Sequence, residues 1–178
     1  KAAYASALRN GSVYSVNNRK SSYSGRAHMD GMVFLGYVPQ DGLTGGWGGE
    51  EFNFSWSMEG SGTDFAIASM AKYLRDQEGS ESAAWQKYND EYLYFTARAT
   101  NYVHLFNESM GGWFRAKKSD GTWLQTDEQF DPTAQGYGYC EDNAYNYAFP
   151  PYDGQGLANL YGMARDRDGQ TALGDKLD

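Results

Sequence analysis

The stretch TDFAIASMAKYLRDQEG, residues 63–79, decides the fold class of this chain. Its apolar side chains recur at steps of three and four residues, which is the spacing of a helix with one buried face. They are Phe65, Ile67, Met70, Ala71 and Leu74. Gly79 then interrupts the pattern, as glycine does just after many helices. The stretch therefore predicts an amphipathic helix over residues 63–78.

A second helical pattern follows after a link of a few residues. Aromatic and apolar side chains keep the same period from residue 82 to residue 106, which predicts a second helix over that range. They are Trp85, Tyr88, Tyr92, Phe95, Ala99, Tyr102 or Val103, and Phe106. Two helices joined by so short a link are expected to pack antiparallel. The centre of the chain is thus predicted to be a helical hairpin.

The C-terminal part combines a turn with a third helix. Two short aromatic runs flank Ser119-Asp120-Gly121 in GGWFRAKKSDGTWLQ, residues 111–125, and this tripeptide favours a β-hairpin or an ordered loop. Asp153 precedes an apolar series at helical spacing, so it is a candidate N-cap for a helix over 153–165. The predicted fold class is mainly α, with long loops and a short β-hairpin.

The N-terminal residues differ in composition from the rest of the chain. Residues 1–31 are rich in Ser, Gly, Asn and Arg, and they are predicted to be an irregular segment with a short helix from Ala2 to Leu8. An apolar run, MVFLGYV at 32–38, ends at Pro39. We therefore place a boundary after residue 31 and a second unit over 32–178.

The overall composition excludes several classes of function. The chain has 178 residues, a formal net charge of -8 and a pI near 4.7, so it repels phosphate backbones and nucleic acid is not an expected partner. No run approaches the roughly 18 consecutive apolar residues of a membrane span. The sequence contains no Walker, GxGxxG, HExxH or GxSxG motif, which removes the usual signs of nucleotide, zinc-protease or serine-hydrolase chemistry.

The stretch YGYCEDNAYNYAFPPYD, residues 137–153, mixes six aromatic rings with acids and amides. A packed core favours rings without acids, and a solvated loop favours the reverse. A pyranose requires both, because its apolar faces stack on rings while its hydroxyls need paired donors and acceptors. The stretch therefore predicts a carbohydrate site. Its polar candidates are Glu141, Asn143, Asn146 and Asp153.

Six segments follow one another in an order and spacing that match one enzyme family. They are WSMEGSGTDFAIASMAKYL, YFTARATNYVHLFN, GGWFRAKKSDGTW, FDP, EDNAYNYAFPPYDGQGLANLYG and the terminal LD. From about Gly36 to Asp178 the chain resembles the family 92 glycoside hydrolases, which are calcium-dependent, exo-acting α-mannosidases.

The resemblance implies a fold of two parts, an amino-terminal β-sandwich and an (α/α)6 toroid, which is a barrel of six helical hairpins. Residues 32–178 resemble only the first part of that catalytic barrel. The later family segment, whose aspartates serve as the catalytic base, has no counterpart here. We therefore expect the remainder of the parent polypeptide, or other chains, to complete the barrel and its chemistry.

The same resemblance implies hydrolysis of terminal α-linked mannose with inversion. Inversion requires an acid and a base whose carboxyl groups lie roughly 6.5–9.5 Å apart. Glu141 takes the position of the acid in a motif that reads Glu-Gly-Asn-Ala-Trp-Gln-Tyr in the family. Tyr145 and Asn146 replace Trp and Gln of that motif and, with Asn143, are expected to contact the sugar. Glu141 and Asn143 are predicted to point into a ring-lined cleft near Tyr145 or Trp123.

The departures from this motif leave two interpretations of Glu141 open. Asp142 replaces a family glycine, and its charge favours the protonated form of the neighbouring carboxyl, as an acid catalyst requires. A glutamate at this place is also suited to satisfy backbone N–H groups at the start of a helix. The first interpretation makes Glu141 catalytic and the second makes it structural.

Three further carboxylates match family motifs. Glu59 and Asp64 are kept in a segment whose aromatic residues have become Gly and Ser, and they are expected either to line the mouth of the barrel or to cap the helix. Asp153 ends Pro151-Tyr152-Asp153, where the family has Pro-His-Asp. The histidine that could contact sugar or water is therefore lost. Glu59, Asp64 and Asp153 are candidate substrate-binding residues.

The resemblance also implies a cofactor, a ligand and a location. A Ca2+ ion is expected against the sugar hydroxyls, with its ligands largely outside this chain, and the expected partner is a mannose-containing glycan. The alternative is a non-catalytic descendant, a glycan-binding or structural component of an extracellular assembly. Sequons at Asn10, Asn53 and Asn107 permit secretion, whereas the single Cys140 weakly favours a reducing compartment. We expect a secreted or extracellular protein.

Overall fold

The computed structural model describes residues 1–13, 26, 29–41, 53–134, 150–165 and 168–178. Within these residues the chain is mainly helical, as predicted. The α-helices are α1 (Ala2–Ser12), α2 (Met29–Phe34), α3 (Asn53–Arg75), α4 (Ala83–Ala99), α5 (Gly154–Arg165) and α6 (Gly169–Leu177). Between α4 and α5 lie the 3-10 helices Asn101–Leu105 and Ser109–Gly111 and the strands β1 (Phe106–Asn107) and β2 (Trp113–Phe114).

The helices α3 and α4 form an antiparallel hairpin. Arg75, at the end of α3, donates a 3.1 Å hydrogen bond to Asn89 in the first half of α4. Arg98, at the end of α4, donates to Asp64 in the middle of α3. Ser82 caps α4 by accepting a backbone N–H of its first turn at 3.0 Å. The predicted pairing of the two central helices is confirmed.

The bounds of these two helices differ from the prediction. The first begins at Asn53, not at residue 63, because the glycine-containing turn before residue 63 is helical. Glycine in a helix is costly, but at Gly60 the helix packs closely against α2, since a Cβ atom there would lie 2.7 Å from the Met32 methyl group. The second helix ends at Ala99, and the predicted residues up to 106 form a 3-10 helix and β1. An apolar period alone does not separate an α-helix from a tighter 3-10 turn.

One hydrophobic cluster packs α1 against the α3–α4 hairpin. Its buried members are Tyr4, Ile67, Ala68, Ala71, Tyr88 and Phe95. The phenol of Tyr4 donates a 2.6 Å hydrogen bond to Glu91 of α4, which fixes α1 across the hairpin. The predicted N-terminal helix is present and extends to Ser12. The boundary after residue 31 stays a prediction.

A second hydrophobic cluster joins the hairpin to the C-terminal helices. Its buried members are Tyr37, Phe54, Met58, Tyr102, Leu105, Phe106, Phe114, Leu157, Tyr161 and Ala172. The helices α5 and α6 thus pack on one end of α3 through the aromatic residues that follow α4. The helix α6 was not predicted, whereas α5 closely matches the predicted range 153–165.

The segment between α4 and α5 contains the predicted hairpin turn. Lys118 and Thr122 are joined by a 2.9 Å backbone hydrogen bond, and Lys117 pairs with Trp123 across the turn. Gly121 supplies the positive φ of 84° that this turn requires. The strands β1 and β2 pair antiparallel just before it. No helix in the described part of the chain is long and apolar enough to cross a membrane.

Candidate functional site

Asp153 is the last residue of the stretch 137–153, which was predicted to bind carbohydrate, and it is held against the helical hairpin. Its Oδ1 atom accepts the backbone N–H of Gly156 at 3.0 Å, so it is the N-cap of α5, as predicted. Its Oδ2 atom accepts the phenol of Tyr102 at 2.6 Å. Burial of Tyr102, together with this hydrogen bond, raises the pKa of its phenol. Both carboxylate oxygens of Asp153 are therefore engaged within the protein, and its contact with sugar stays a prediction.

Tyr152, which stands where the family has histidine, docks onto the hairpin. Its ring stacks on Phe65 with centroids 4.6 Å apart and planes 13° apart. Its phenol donates a 2.9 Å hydrogen bond to the carbonyl of Ala99, at the end of α4. Burial raises the pKa of this phenol, and the charges of Asp153 and Asp64 add to the effect. Tyr152 thus lies near two of the candidate carboxylates and ties the start of α5 to both central helices.

Asp64 lies at the centre of a buried ion cluster. Its side chain is 0% exposed and receives two 2.6 Å hydrogen bonds from the guanidinium of Arg98. Arg26 approaches the same carboxylate to 2.7 Å. Arg98 also donates to the carbonyl of Gly11 in α1 at 2.8 Å. Because a charge without a partner is very costly in a protein interior, this carboxylate and its arginines depend on one another. The cluster joins α1, α3 and α4.

Glu59 faces a different direction from Asp64. Five positions along a helix correspond to a rotation of about 140° around its axis, and Glu59 is exposed while Asp64 is fully buried. Both residues lie inside α3, which begins at Asn53, so the interpretation that they cap the helix is wrong. Their contact with sugar stays a prediction, and the structure does not bring the two carboxylates together on one face.

The remaining candidates lie outside the described residues. These are the proposed acid Glu141 and the proposed sugar contacts Asn143, Tyr145 and Asn146. The expected ring-lined cleft around them therefore stays a prediction. Trp123, which was expected near it, is half-buried, and the amine of Lys117 lies 4.3 Å from the centroid of its indole.

Sequence reasoning missed a buried arginine, Arg115, in the segment between α4 and α5. Arg115 is 2% exposed, donates a 2.6 Å bond to Asp127 and lies 4.4 Å above the ring of Phe130. It also donates to the backbone carbonyls of Gln125 and Thr126. The hydrogen bonds from Arg115 lower the pKa of Asp127. The available signal was an arginine beside apolar residues in Trp113-Phe114-Arg115-Ala116, where a charge requires partners nearby.

The described residues do not form a calcium site by themselves. No group of three or more His, Cys, Asp or Glu side chains in this part of the chain is placed to hold a metal ion. Asp64 is bound to arginines, and Asp153 accepts two hydrogen bonds. These carboxylates do not fit the six to eight oxygen ligands that Ca2+ takes. The expectation that the calcium ligands lie largely outside this chain stays a prediction.

Comparison with known proteins identifies the family. The sequence profile of the Glycosyl hydrolase family 92 catalytic domain matches residues 1–178. A similar solved structure is a family GH92 α-mannosidase from Bacteroides thetaiotaomicron in complex with mannoimidazole, with a TM-score of 0.58 and 24% sequence identity. The similarity covers 89% of this chain and 18% of that chain, so this chain spans about a fifth of the mannosidase. No curated protein matches the chain. The fold and the profile agree, and the chain belongs to glycosyl hydrolase family 92.

Proposed function

We propose that this chain is part of a glycoside hydrolase that removes terminal α-linked mannose with inversion of configuration. The observation that carries the proposal is the match of the family 92 catalytic-domain profile over residues 1–178. The helical fold shared with part of a family α-mannosidase supports it. Because the chain corresponds to 18% of that mannosidase, the activity is proposed for a complete catalytic unit to which this chain contributes.

In the proposed mechanism Glu141 is the general acid. It donates a proton to the glycosidic oxygen while the bond to the anomeric carbon breaks. A water molecule then attacks the opposite face of the sugar, and a carboxylate base removes its proton. The chain has no counterpart of the family's base motif, so we assign the base to another part of the complete unit. Asn143, Tyr145 and Asn146 are the proposed sugar contacts.

The proposed substrate is a mannose-containing glycan, and the proposed cofactor is Ca2+. The solved α-mannosidase contains mannoimidazole, which supports a mannose-type sugar as the ligand class. A bound Ca2+ would supply positive charge to the sugar hydroxyls. The described carboxylates do not fit this ion, so its proposed ligands lie elsewhere. A secreted or extracellular location is part of the same proposal.

Two structural observations favour the alternative, a non-catalytic glycan-binding or structural component. Tyr152 replaces the family histidine and uses its phenol and ring for packing against Ala99 and Phe65. Asp64 is likewise committed to two arginines. Two positions that match family motifs therefore serve the stability of the fold. The alternative predicts sugar binding without hydrolysis.

The variant Glu141→Gln distinguishes the two functions in the complete polypeptide. Glutamine keeps the size of the side chain but cannot donate the proton, so hydrolysis of an alkyl α-mannoside should fall by about 10²–10⁴-fold. An aryl mannoside with a good leaving group should lose much less, because its phenolate leaves with little protonation. Glu81→Gln, at an exposed turn position outside the candidate site, is the matched control. Equal losses on both substrates would reassign Glu141 to a structural role, and binding of mannose by an inactive wild type would favour the alternative.

A further inference from the structure

The helix α3 presents an uncharged face to solvent. It is formed by Gly62, Ala66, Ser69 and Tyr73, which are spaced by four, three and four residues. With 3.6 residues per turn, this spacing places them within an arc of about 60° around the helix axis. Ala66 and Ser69 are exposed, and Tyr73 is 66% exposed. We call these four residues the open face of α3.

The lack of charge distinguishes the open face from an ordinary solvated one. Between Glu59 and Lys72 the only charged residue of α3 is Asp64, which is 0% exposed and belongs to the buried ion cluster. The helix α4, by contrast, exposes Lys87 and Asp90. A helix that is buried on one side and uncharged on the other over roughly three turns is typical of one that is enclosed on both sides.

Gly62 is an independent sign of a neighbour beyond the described residues. Glycine inside a helix is less favourable than alanine, so a close approach is the usual reason for its presence. Among the described residues a Cβ atom at Gly62 would lie within 4 Å of one atom only, Cε1 of Tyr152 at 3.9 Å, which is an ordinary contact. Nothing in the described packing therefore calls for glycine at this position.

We propose that the open face of α3 is the docking surface for a helix from the rest of the family 92 catalytic unit. A spacing of four, three and four residues is that of a seam between two helices packed side by side. Gly62, Ala66 and Ser69 are small, so they allow the axis of the second helix to approach to about 8 Å. Because the open face carries no charge, the helix that covers it presents apolar side chains.

The rest of the catalytic unit is the occupant because this chain supplies only a small part of it. The similarity covers 18% of the solved mannosidase, so most of such a unit lies outside this chain. A second copy of the chain is disfavoured by repulsion, since each copy carries a formal net charge of -8. The inference rests on the proposal of a complete catalytic unit, but it does not depend on hydrolysis.

Thiol labelling of the variant Ser69→Cys tests the proposal without a measurement of activity. The variant is made in the 178-residue chain and in the complete polypeptide, and labelling by iodoacetamide is followed by peptide mass spectrometry, which separates position 69 from Cys140. Labelling at position 69 should be at least about tenfold slower in the complete polypeptide, because a covered thiol reacts only when the interface opens.

Two further thiol variants are the controls. Lys87→Cys, on the exposed charged surface of α4, should react at the same rate in both proteins. Ala71→Cys, at a position that is 0% exposed, should react slowly in both, which checks that the 178-residue chain is folded. A complete polypeptide that protects position 69 but does not hydrolyse mannosides would contradict the proposed function and still support this inference.

The variant Gly62→Ala, added to Ser69→Cys, tests the close approach. In the 178-residue chain it should raise the urea midpoint, because alanine is the better helix former, and leave labelling at position 69 unchanged. In the complete polypeptide the added methyl group meets the second helix, so labelling at position 69 should become faster. Equal labelling of position 69 in the two proteins, or equal protection of positions 69 and 87, would overturn the proposal. Protection in the 178-residue chain that grows with its concentration would overturn it in favour of a second copy.

Discussion

The phenol of Tyr102 donates a 2.6 Å hydrogen bond to Oδ2 of Asp153, across 51 positions of the chain. Tyr102 belongs to the 3-10 helix that follows α4, and Asp153 is the N-cap of α5. The bond therefore joins the helical hairpin to the C-terminal pair of helices. It also fixes Asp153, the last residue of the stretch 137–153 that contains Glu141.

Removal of this phenol should destabilise the protein measurably. Tyr102 is 1% exposed, so Tyr102→Phe leaves a carboxylate oxygen of Asp153 without its buried donor. Hydrogen bonds to charged groups contribute about 1.5–3 kcal/mol, and we expect a loss in this range in the free energy of unfolding, measured in urea. Tyr152→Phe is the matched control, because its phenol donates to the neutral carbonyl of Ala99 and should lose only about 0.5–1.5 kcal/mol. A smaller loss for Tyr102→Phe than for Tyr152→Phe would contradict this assignment.

Asp64 and Glu59 should respond very differently to loss of charge. Asp64→Asn leaves Arg98 and Arg26 buried without their anion, and breaking such a cluster costs about 3–5 kcal/mol. Glu59→Gln changes an exposed side chain on the same helix, and we expect a much smaller loss than for Asp64→Asn. Chemical denaturation of both variants measures the contrast.

A double-mutant cycle tests whether Asp64 acts through Arg98. Asp64→Leu should be less damaging when combined with Arg98→Met, because Arg98 is then no longer buried without its anion and only Arg26 remains so. Additive losses in the two single variants and the double variant would show that the 2.6 Å contacts are not coupled energetically.

The ion pair between Arg115 and Asp127 should contribute to the decrease in the free energy of unfolding at acid pH. The pKa of Asp127 is lowered in the folded protein by its bonds with Arg115, so the folded state holds its proton less tightly than the unfolded chain. The resulting stabilisation is present above the pKa of the unfolded carboxyl, about 3.9, and is lost as the pH falls through the lower folded value. Between pH 6 and pH 2, Asp127→Asn should therefore show a shallower loss of stability than wild type. Glu81→Gln, an exposed turn position, should keep the wild-type slope.

The sequence predicts the fold class because its strongest signals are local. The period of Ile67, Met70 and Leu74 reports a helix face directly, and the cap at Asp153 is a short-range pattern. The predicted start of α3 was wrong because Gly60 and Gly62 weaken the local helical signal, yet both lie inside the helix of the folded protein. Tertiary packing overrides a weak intrinsic propensity there.

The candidate site was less accessible to sequence reasoning. A carboxylate in a family motif does not report its partners, so the burial of Asp64 between Arg98 and Arg26 could not be read from the residues alone. Charge pairs that are 34 and 38 positions apart become visible only when the helices are placed. Glu141 and its neighbours lie outside the described residues, and their roles stay predictions.

Two glycines with similar φ angles should differ in their response to alanine. Gly112 has a φ of 93°, and a Cβ atom there would lie 2.7 Å from the ring of Phe106 and 3.1 Å from Ala164. Gly121 has a φ of 84°, and its Cβ atom would meet nothing within 4 Å. Alanine at the second site should cost only the backbone strain, about 1–2 kcal/mol.

Alanine at Gly112 should cost that strain and a packing clash, together about 2–5 kcal/mol in the free energy of unfolding. The clash falls where β2 and α5 approach each other, so the near-ultraviolet circular dichroism of the surrounding aromatic residues should change as well. Gly121→Ala should leave that spectrum unaltered. Equal losses in the two variants would mean that the close approach of Phe106 and Ala164 to Gly112 relaxes freely, contrary to the tight packing expected of a buried cluster.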